Sequence, residues 1–500
     1  MANNMIKPII WTIAGADCSG GAGIAADIKT GHSLHVEVCH LITANTVQNA
    51  AKLLSINPVD IALLAQQVEV LKNDKPPRVL KIGLLVSIEQ LNWLKKLIGE
   101  LKLENPSLIV VLDPVGTASV GGKLSALEPK DYHALLPFID VITPNIDEAK
   151  ALVDAPFAEV KTLASTLAER GQNTVVVKGG HSDNETVVDV AFDQRENRWY
   201  QLESPRINTR YTHGGGCSFA MALASYIAHG YLLRDAFTLT KAFINKGMHV
   251  NRGKLDYYGA FEQPLGELNA EYFPQIESLI NDRYTELSAF PSIGSQQGDQ
   301  ALGLYPVVDS LAWLEKLLPL GLEIIQLRIK EKSSDVLNAI IAEAVNLSAR
   351  YHTRLFINDH WQLAIKHGAY GVHLGQEDLL EADLAAIHNA GIRLGISTHG
   401  CYEFLLAQQL RPSYLAIGAI FPTKTKDMTG QIQGLDNLRQ ILAIAKHVPV
   451  VAIGGITLDN ARAVLETGVD SIAVVTAITE SACYSQAVTK FQQLLPPSTA

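Results

Sequence analysis

The stretch PIIWTIAGADCSGGAGIAAD, residues 8–27, decides how the first half of the chain folds. It begins with a continuous apolar run, passes through a glycine-rich loop, and continues into residues that favour a helix. A buried strand followed in this way by a helix is the basic unit of a parallel α/β sheet. The loop then falls at the carboxyl end of the strand, where such sheets bind ligands.

Similar apolar runs alternate with Ala-, Leu-, Lys- and Glu-rich segments along the first half of the chain: VLKIGLLV, LIVVLDPV, FIDVITPN and TVVVKGG. This alternation predicts a largely parallel sheet covered by helices on both faces. The runs VVDVAFD and RWYQLES predict an added hairpin. Because ELSAFPSIGSQQGDQ has the composition of a linker, we expect one domain at 1–265 and a linker at 266–300.

The remaining residues, 301–500, contain eight strand candidates: LYPVVD, IIQLRIK, RLFIND, YGVHLG, RLGIST, YLAIGAI, VPVVAIGG and SIAVVT. Each of the first seven is followed by a segment that can form a helix. Eight strands alternating with helices predict a (β/α)₈ TIM barrel. The two halves do not repeat one another, so we expect a fusion of two different α/β folds.

Composition narrows the functional class. The chain has 500 residues and a formal net charge of −10, and it has no long basic run, which argues against nucleic-acid binding and favours small anionic ligands. Its five cysteines are scattered and form no CxxC pair, which fits a reducing compartment. We find no signal peptide and no run of membrane-spanning length, and expect a cytoplasmic protein that does not bind membranes. The sequence leaves its oligomeric state open, a homo-oligomer included.

The sequence of the glycine-rich loop after the first strand matches neither of two common nucleotide-binding motifs. It contains GxGxxA at Gly21, Gly23 and Ala26, but the next strand offers no acidic residue for a dinucleotide ribose. The Lys-Ser/Thr pair of a Walker motif is missing as well. What remains is a loop that packs closely on a ligand or on a lid.

The stretch THGGGCSFA, residues 212–220, places three glycines before a cysteine at the start of an apolar helix. Backbone N–H groups at a helix N-terminus attract anions, and a cysteine there tends toward the thiolate. We therefore expect an anion pocket at Gly214 and Gly216 with Cys217 as a reactive group. The alternative is a flexible loop before a buried, inert cysteine.

Four polar residues follow other strands of the first half: Asp113, Asn145, Glu148 and Lys178. Carboxylate and amide oxygens can hold a hydrated Mg²⁺, and lysine neutralises phosphate. Together these residue types indicate phosphoryl transfer. Each residue alone is equally compatible with ordinary turn chemistry.

The motifs TIAGADCSGGAGIAADIKT, LITANTVQN, KIGLL, VLDPV, ITPNIDEA, VVVKGGH and NTRYTHGGGC resemble those of the hydroxymethylpyrimidine and hydroxymethylpyrimidine-phosphate kinases. The resemblance implies a ribokinase-like three-layer α/β/α domain. It also implies that Gln48 reads the pyrimidine edge and that Asp27 lies near the same pocket. Cys217 would take the place of the superfamily's catalytic aspartate.

The chain departs from that family at three places. The anion hole of the family reads Gly-Thr-Gly-Cys, so that Gly215 stands where the family has threonine. The usual Met after KIG is Leu84, and residues 116–123 differ as well. Two alternatives therefore stay open for the first half: a pyridoxal-type kinase, or a non-catalytic pyrimidine-binding module.

In the second half, Gln326, Arg328 and Lys330 alternate with apolar residues along one strand. They share one face of that strand, and polar side chains near the carboxyl ends of barrel strands line the active-site mouth. The alternative is a half-exposed strand with a solvated polar face. Three further strands also end in polar residues, including Asn358, Gln376 and Ser397.

Two anionic sites are indicated at these strand ends. Asp359 and Asp378 could share a Mg²⁺, which prefers few carboxylates together with phosphate oxygens and water. The segment GAIFPTKTKD offers hydroxyl and ammonium groups to a diphosphate. The segments IGGIT and VVTAI, after strands seven and eight, occupy the positions at which barrels bind a phosphate group.

The motifs QLRIK, FINDH, GVHLGQED, LGISTH, GAIFPTKTK, AIGGI and VVTAI resemble those of thiamine phosphate synthases. The resemblance implies that Asp359 and Asp378 hold Mg²⁺ and that the thiazole phosphate is bound by Gly455, Val475 and Thr476. The residues it implies for the pyrimidine and its diphosphate are Gln326, Arg328, Lys330, Asn358, Ser397, Thr423, Thr425 and Lys426. His399 and Lys424 would be neighbours of that site.

The two resemblances imply consecutive reactions, because the product of the first is the substrate of the second. ATP would phosphorylate hydroxymethylpyrimidine twice, and the diphosphate would then be coupled to thiazole phosphate. The expected partners are therefore small molecules: the pyrimidine and its phosphates, thiazole phosphate and ATP.

Overall fold

A computed structural model describes residues 7–49, 52–115, 124–171, 173–180, 184–250, 259–293, 302–330, 333–423, 432–445 and 448–495. The chain divides into two compact units, Met1–Ile276 and Glu277–Ala500. No helix within the described ranges combines the length and the hydropathy that a membrane span needs.

The first unit is built on a ten-stranded sheet. Its strands are β1 (Ile9–Asp17), β2 (Glu37–Gln48), β3 (Leu53–Pro58), β4 (Val79–Ile82), β5 (Ile109–Leu112), β6 (Val141–Ile142), β7 (Thr174–Val177), β8 (Thr186–Asp193), β9 (Arg198–Pro205) and β10 (Gln275–Glu277). Their spatial order is β10-β9-β8-β7-β6-β5-β4-β1-β2-β3. The strands from β4 to β7 and the pairs of β1 with β2 and β4 are parallel, whereas β3, β8 and β9 pair antiparallel with their predecessors. The hairpin predicted from VVDVAFD and RWYQLES is thus confirmed.

The strand order reverses at β1, which lies between β2 and β4. In an open parallel sheet such a reversal opens a crevice at the carboxyl ends of the strands. The glycine-rich loop after β1 therefore lies at the position where the topology creates a binding cleft.

Among the described residues of this unit, the α-helices that accompany the sheet are α1 (Gly23–Ser33), α2 (Ile61–Asp74), α3 (Ile88–Glu104), α4 (Ile146–Val153), α5 (Val160–Gly171), α6 (Gly215–Ala228) and α7 (Leu233–Val250). Alternate residues of the strands face opposite helix layers. Trp11 and Leu80 pack in one hydrophobic core with residues of α2, α3 and α5. Thr12 and Lys81, their neighbours in sequence, contact Asp27 of α1 on the other face.

The second unit contains a closed barrel of eight parallel strands. They are β11 (Leu304–Val308), β12 (Ile324–Leu327), β13 (Arg354–Asn358), β14 (Gly371–Leu374), β15 (Arg393–Thr398), β16 (Tyr414–Ile417), β17 (Val450–Ile453) and β18 (Ser471–Val474). All eight predicted strands are present, and β18 pairs with β11 to close the ring. The sheet covered by helices and the closed barrel confirm the predicted fold class.

The helices of the second unit are α8 (Leu279–Tyr284), α9 (Leu311–Leu317), α10 (Ser334–Arg350), α11 (Trp361–His367), α12 (Asp378–Glu381), α13 (Leu384–Asn389), α14 (Cys401–Gln409), α15 (Gly434–Ile444), α16 (Ala461–Leu465), α17 (Thr476–Thr479) and α18 (Tyr484–Leu494). The short helices α12 and α17 start one turn or less after the barrel strands β14 and β18. Their first residues therefore lie at the carboxyl end of the barrel.

Aromatic side chains fill the interior of the barrel. The Phe356 ring lies edge-on to the rings of Tyr370 and Tyr414, with centroid distances of 5.7 and 5.2 Å. Tyr305 packs beside them in the same core. These rings close the barrel below its polar mouth.

Part of the predicted linker packs onto the second unit. The Tyr284 hydroxyl donates to the carbonyl of Ala382 at 3.1 Å, and Phe290 and Ile293 are buried. The structure therefore begins its second unit earlier than residue 301, because these apolar side chains are withdrawn from water. The functional domain bounds 1–265 and 301–500 stay predictions.

We expect Phe356→Ala to lower the free energy of unfolding of the second unit by about 3–5 kcal/mol, because it leaves a cavity among packed rings. Urea denaturation of the full chain, with the two transitions fitted separately, measures this loss. Leu380→Ala is the control, since the Leu380 side chain is 65% exposed and should change stability by no more than about 0.5 kcal/mol. Equal effects of the two substitutions would contradict the packing described here.

Candidate active sites

Two glycine-rich segments of the first unit touch through their backbones. We name them the first glycine loop, residues 17–23, and the second glycine loop, residues 212–217. A Cβ atom on Gly214, whose φ is +80°, would lie 1.9 Å from the carbonyl oxygen of Gly21. Only glycine combines this left-handed backbone with so close an approach. The triple glycine before Cys217 is thus explained in part by packing between the loops.

A buried hydrogen-bonded pair of side chains joins the same two loops. His213 Nε2 lies 2.8 Å from Asp17 Oδ2, and the Asp17 carboxylate also accepts from the backbone N–H and the hydroxyl of Ser19, each at 2.8 Å. Burial alone would raise the pKa of Asp17, but the hydrogen bonds from His213 and Ser19 outweigh it and hold the pKa well below its usual range. Asp17 therefore fixes the second glycine loop against the first.

Cys217 lies in the first turn of α6 and is half-buried. Burial raises the pKa of its thiol to about 11, although the nearby charge of Lys81 opposes this. The expectation that this thiol tends toward the thiolate is therefore wrong, because desolvation of the sulfur outweighs the helix N-terminus. Ionisation of Cys217 would need further positive charge brought by a ligand.

The structure brings three predicted residues of the first unit together. Lys178 Nζ lies 2.8 Å from Asp113 Oδ1. A Cβ on Gly216 would lie 3.6 Å from Lys178 Nζ and 4.0 Å from Asp113 Oδ2. The N-terminus of α6 and an ammonium–carboxylate pair thus line one position at the strand ends.

Asn145 and Glu148 cap the N-terminus of a helix, a role that the sequence did not reveal. The side chain of Asn145 accepts from the Glu148 N–H at 2.8 Å, and that of Glu148 accepts from the Asn145 N–H at 2.8 Å. This reciprocal arrangement is a capping box that starts α4. Burial raises the pKa of Glu148 to about 7 although Lys178 opposes the shift, so the carboxyl group also belongs to the electrostatics of the site.

Asp27 is fully buried beneath the cleft. Lys81 Nζ lies 3.0 and 2.9 Å from its two carboxylate oxygens, and the Thr12 hydroxyl donates to Oδ2 at 2.6 Å. Its side chain has no exposed surface. Asp27 therefore forms a buried structural ion pair, with no exposed oxygen to offer a ligand, and its place near the pyrimidine pocket stays a prediction.

Gln48 lies at the end of β2 with its side chain half-exposed. Its amide makes no side-chain hydrogen bond to any other described residue, so it is available to a ligand. A small apolar cluster of Ala44, Leu84, Val86 and Leu124 borders this part of the sheet. An apolar wall and a free amide can together accept a flat heterocycle.

Three residues of the first unit were missed by the sequence interpretation: Asp17, His213 and Lys81. Lys81 carried a signal, since it is a single cation inside the apolar strand VLKI, and a buried charge requires a partner. His213 stands directly before the triple glycine. Its partner Asp17 lies 196 positions away, a separation that sequence patterns do not bridge.

In the second unit, inward-facing polar residues lie at the carboxyl ends of four neighbouring strands. Gln326 and Asn358 are buried, and Asn358 pairs in register with His373. His373 Nε2 lies 2.7 Å from the half-exposed Ser397 hydroxyl. His373 was quoted in the motif GVHLGQED but not predicted as a site residue, and the register places it between two that were. Beyond β12, Arg328 is half-buried and Lys330 is exposed.

Asp359 and Asp378 lie next to one another at the carboxyl end of the barrel, and a cation shared between them stays a prediction. Burial and the adjacent Asp378 raise the pKa of Asp359 to about 6. Asp378 also accepts from the Gly375 N–H at 3.0 Å. No group of three or more metal-binding side chains converges within the described ranges. Two carboxylates fit Mg²⁺, which completes its shell with water and phosphate oxygens.

The loops after β17 and β18 lie side by side, since Ile453 pairs with Ala473. Gly455 has φ +64°, and a Cβ there would lie 2.5 Å from the carbonyl oxygen of Pro422. Val475 and Thr476 begin α17 immediately after β18. Thr423 is half-buried at the end of its described segment, whereas Lys424, Thr425 and Lys426 lie outside the described residues.

His399 contacts an acidic residue. Its Nδ1 and its backbone N–H each lie 2.8 Å from Glu403 Oε2. Glu403 lies in the first turn of α14. His399 is thus engaged at the start of that helix, and its place as a neighbour of the site stays a prediction.

The Asp17–His213 contact predicts acid lability of the first unit. Asp17 has a folded pKa below its ordinary value of 3.8, so its stabilising contribution is complete above pH 3.8 and is lost as the pH falls through the lowered folded value. We expect Asp17→Asn to flatten the pH dependence of stability in this acid range. Urea denaturation between pH 5 and pH 2 measures it. Asp60→Asn, at the exposed start of α2, is the control and should leave the slope unchanged. A wild-type slope in the Asp17→Asn variant would contradict the assignment.

Models of two protein families match this chain. The family model described as phosphomethylpyrimidine kinase matches residues 17–259, and that described as thiamine monophosphate synthase matches residues 304–478. A thiamine-phosphate synthase of Yersinia pestis (strain Pestoides F) is 53% identical over 202 residues, which are 40% of this chain and 94% of that protein.

Two solved structures are similar to the first unit. A phosphomethylpyrimidine kinase from Clostridium difficile 630 is 30% identical, with 48% of this chain and 99% of that chain covered and a TM-score of 0.41. A pyridoxal kinase from Staphylococcus aureus in complex with AMP-PCP and pyridoxal is 26% identical, with 55% and 98% covered and a TM-score of 0.46. Neither likeness distinguishes between the two kinds of substrate.

The match to the synthase covers nearly the whole length of the Yersinia relative at more than half identity, and the kinase family model covers the first unit. The chain therefore belongs to the thiamine-phosphate synthase family and joins such a domain to a phosphomethylpyrimidine kinase domain in one bifunctional enzyme of thiamine biosynthesis.

Proposed function

We propose that the first unit transfers phosphoryl groups from ATP to hydroxymethylpyrimidine and then to its phosphate. The second unit then couples the resulting diphosphate to thiazole phosphate and releases pyrophosphate. The observation that carries the kinase assignment is the convergence of Gly216, Lys178 and Asp113 at the start of α6. A positive charge and several backbone N–H groups at one position can stabilise a phosphoryl group during its transfer.

In the kinase reaction the backbone N–H groups of Gly214 and Gly216 bind oxygens of the γ-phosphoryl group, as helix N-termini do. Lys178 neutralises charge that develops during transfer. Cys217 accepts the proton of the attacking hydroxyl or phosphate. Because its thiol has a raised pKa in the ligand-free protein, this role requires substrate binding to bring Cys217 closer to ionisation.

Recognition of the pyrimidine is assigned to Gln48, whose amide can both donate to and accept from a heterocycle. Asp27 supports the floor of the pocket through Lys81 and Thr12. Asp113, Asn145 and Glu148 belong to the ATP and Mg²⁺ region. A bound Mg²⁺ would supply charge neutralisation between the phosphates of ATP.

In the synthase reaction Gln326, Asn358 and Ser397 bind the pyrimidine at the mouth of the barrel. The diphosphate is bound by the cationic and hydroxyl side chains Arg328, Lys330, Thr423, Thr425 and Lys426. Asp359 and Asp378 would hold a Mg²⁺, which would supply positive charge to the leaving diphosphate. Gly455, Val475 and Thr476 bind the thiazole phosphate.

The coupling step exchanges one bond for another at the pyrimidine methylene carbon. The C–O bond to the diphosphate breaks and its electron pair leaves with pyrophosphate, which gives a pyrimidine-methyl cation. The lone pair of the thiazole nitrogen then forms the new C–N bond. Stabilising the departing negative charge is the main task, so cationic side chains around the diphosphate contribute most.

The expected partners are small molecules, and we propose a cytoplasmic location without nucleic-acid or membrane ligands. All five cysteines are free thiols, which suits a reducing compartment. A homo-oligomer stays a prediction.

Mass spectrometry of the products tests both activities at once. Full-length protein receives hydroxymethylpyrimidine, Mg-ATP and thiazole phosphate, and a parallel reaction lacks the thiazole. We expect thiamine phosphate in the first and the pyrimidine diphosphate in the second.

Thiamine phosphate formed only from ready-made diphosphate would overturn the kinase assignment. Turnover of pyridoxal instead of the pyrimidine would select a pyridoxal-type kinase, and pyrimidine binding without ATP turnover would select a non-catalytic module.

We expect Cys217→Ser to lower the kcat of the kinase reaction by about 10²–10⁴-fold. A serine hydroxyl is a weaker acid than a thiol, so it ionises less readily to the form that accepts the proton. Synthase activity on ready-made pyrimidine diphosphate should stay at the wild-type level in the same preparation. Cys483→Ser, in the second unit, serves as the control for cysteine loss. A Cys217→Ser enzyme with unchanged kcat would remove Cys217 from the reaction.

We expect Asp378→Asn to raise the Mg²⁺ concentration that half-saturates the synthase by about 10-fold or more, because one of two charged ligands is lost. Magnesium titration of the coupling reaction, started with ready-made diphosphate, measures this shift. Glu381→Gln removes an exposed carboxylate from the same short helix and should not move the titration. An unshifted Asp378→Asn curve would exclude this aspartate as a ligand.

A further inference from the structure

Lys178 is held in place by its backbone as well as by its ammonium group. Its own N–H donates to the carbonyl oxygen of Pro144, in the loop after β6, at 2.9 Å. The N–H of the next residue, Gly179, donates to Asp189 Oδ1 at 2.7 Å. The backbone is therefore fixed on one side of the Lys178 side chain by a main-chain carbonyl, and on the other side by a carboxylate.

The carboxylate acts where the regular pairing of β7 with β8 ends. The two strands pair antiparallel as far as Val177, which lies opposite Val190. Beyond this point the backbones come so close that a Cβ atom on Gly179 would lie 2.0 Å from the carbonyl oxygen of Val188. Asp189, the residue after Val188, accepts from the Gly179 N–H with its side chain. This bond therefore fixes the place at which the chain leaves β7.

The second oxygen of Asp189 is bound by a cation from a helix. Lys241 of α7 places its Nζ 2.6 Å from Asp189 Oδ2, and the two side chains are 6% and 4% exposed. A carboxylate buried in this way needs a partner for its charge. Hydrogen bonds to charged groups are also shorter and stronger than those between neutral groups. Both oxygens of Asp189 are thus engaged, one by Gly179 and one by Lys241.

Stability alone is a weak reason for such a pair. The cost of withdrawing two charges from water offsets most of their attraction, so apolar side chains of similar size stabilise a fold about as well. Apolar side chains, however, would not accept from the Gly179 N–H. What the pair of Asp189 and Lys241 adds is a fixed position for the backbone beside Lys178.

The position of this backbone bears on the kinase reaction. Lys178 Nζ lies 2.8 Å from Asp113 Oδ1, and a Cβ atom on Gly216, at the start of α6, would lie 3.6 Å from Lys178 Nζ. A displacement of about 1 Å in a reacting group can cost about 100-fold in rate. Because Gly179 directly follows Lys178, a shift of its backbone is passed on to the ammonium group.

We propose that Asp189 and Lys241 are positioning residues of the kinase reaction, which hold Lys178 beside Asp113 and the N-terminus of α6. The proposal rests on the phosphoryl transfer proposed above. Neither residue needs to touch ATP or the pyrimidine. Their effect on the reaction passes through Lys178.

The test removes the carboxylate acceptor without leaving a buried charge behind. An apolar double variant, Asp189→Leu with Lys241→Met, replaces the ion pair by side chains of similar size. A conservative double variant, Asp189→Asn with Lys241→Gln, is also uncharged, but its asparagine can still accept from the Gly179 N–H and its two amide groups can bond to each other. The two variants therefore share the loss of charge and differ in the acceptor.

The kinase reaction of the full-length protein is measured with hydroxymethylpyrimidine and Mg-ATP. We expect the apolar double variant to lower kcat by about 10-fold or more, with a smaller change in the KM for ATP, because Lys178 acts mainly during transfer. The conservative double variant should keep its kcat within about 3-fold of wild type, because the position of Lys178 is retained.

A double-mutant cycle separates positioning from a general structural effect. The apolar double variant is also made in a Lys178→Ala background, and the residual kinase activity of both Lys178→Ala proteins is compared. If Asp189 and Lys241 act through Lys178, the apolar substitutions should cost less than about 2-fold there, because residues that act as a unit are not additive. A general structural effect would lower kcat by the same factor in both backgrounds.

A similar arrangement at the amino ends of the strands provides the matched control. Asp140 Oδ2 accepts from the Val110 N–H, near the start of β5, at 2.9 Å and lies 2.9 Å from Lys102 Nζ. Its other partner, Arg195, is 68% exposed. Because the proposed site lies at the carboxyl ends of the strands, we expect Asp140→Leu with Lys102→Met to leave the kinase kcat at the wild-type level.

The outcomes separate the two proposals. A wild-type enzyme that does not phosphorylate hydroxymethylpyrimidine would overturn the proposed function of the first unit, and the positioning role with it. An active wild type would overturn the positioning role alone in any of three cases: the apolar double variant keeps its kcat, the conservative or the control variant loses as much, or the loss is the same in the Lys178→Ala background.

Urea denaturation of the first unit checks that each variant is folded. Should the apolar double variant fail to fold, Asp189→Val with Lys241→Met takes its place, because valine is favoured in strands. It also lacks the acceptor for the Gly179 N–H. The same loss of kcat is expected, and the same results would overturn the positioning role.

Discussion

Parallel pairing of strands is the constraint on which both units depend. Parallel strands all point the same way, so the residues that follow them gather at one edge of an open sheet or at one mouth of a barrel. The glycine loop after β1 and Lys178 after β7 come from distant parts of the sequence to one edge of the sheet. In the barrel, the same rule brings Asp359 and Asp378 within reach of one cation. The side chains of such a site need few long-range contacts with one another, because the pairing of the strands already brings them together.

Patterns that repeat along the chain were therefore sufficient for the fold and for the neighbourhood of each site. Continuous apolar runs separated by helical segments predicted the sheet, and eight of them predicted the closed barrel. The alternation of Gln326, Arg328 and Lys330 identified a face of β12 that the structure turns inward at Gln326. The antiparallel β3 was missed, because its short run carries little apolar signal and only β2 pairs with it.

The sequence could not identify the hydrogen-bonding or ionic partner of each polar group. Asp27 looked like a pocket residue, but Lys81 and Thr12 occupy both of its oxygens. Asn145 looked like a metal ligand, and its side chain caps α4. The thiolate expected at Cys217 failed for the same reason, because the penalty of desolvation depends on burial that only the folded chain defines.

The glycines before Cys217 differ in how far the fold constrains them. Gly214 has a left-handed backbone in contact with the first glycine loop, whereas nothing lies within 4 Å of a Cβ placed on Gly215. During evolution, Gly214 cannot be replaced without moving the loop, whereas Gly215 can be replaced. The threonine that related kinases carry at the second position could therefore be lost or regained along a lineage without rebuilding the loop around it. The departure of this chain from the family pattern in this loop is thus located at a glycine whose replacement leaves the backbone where it is.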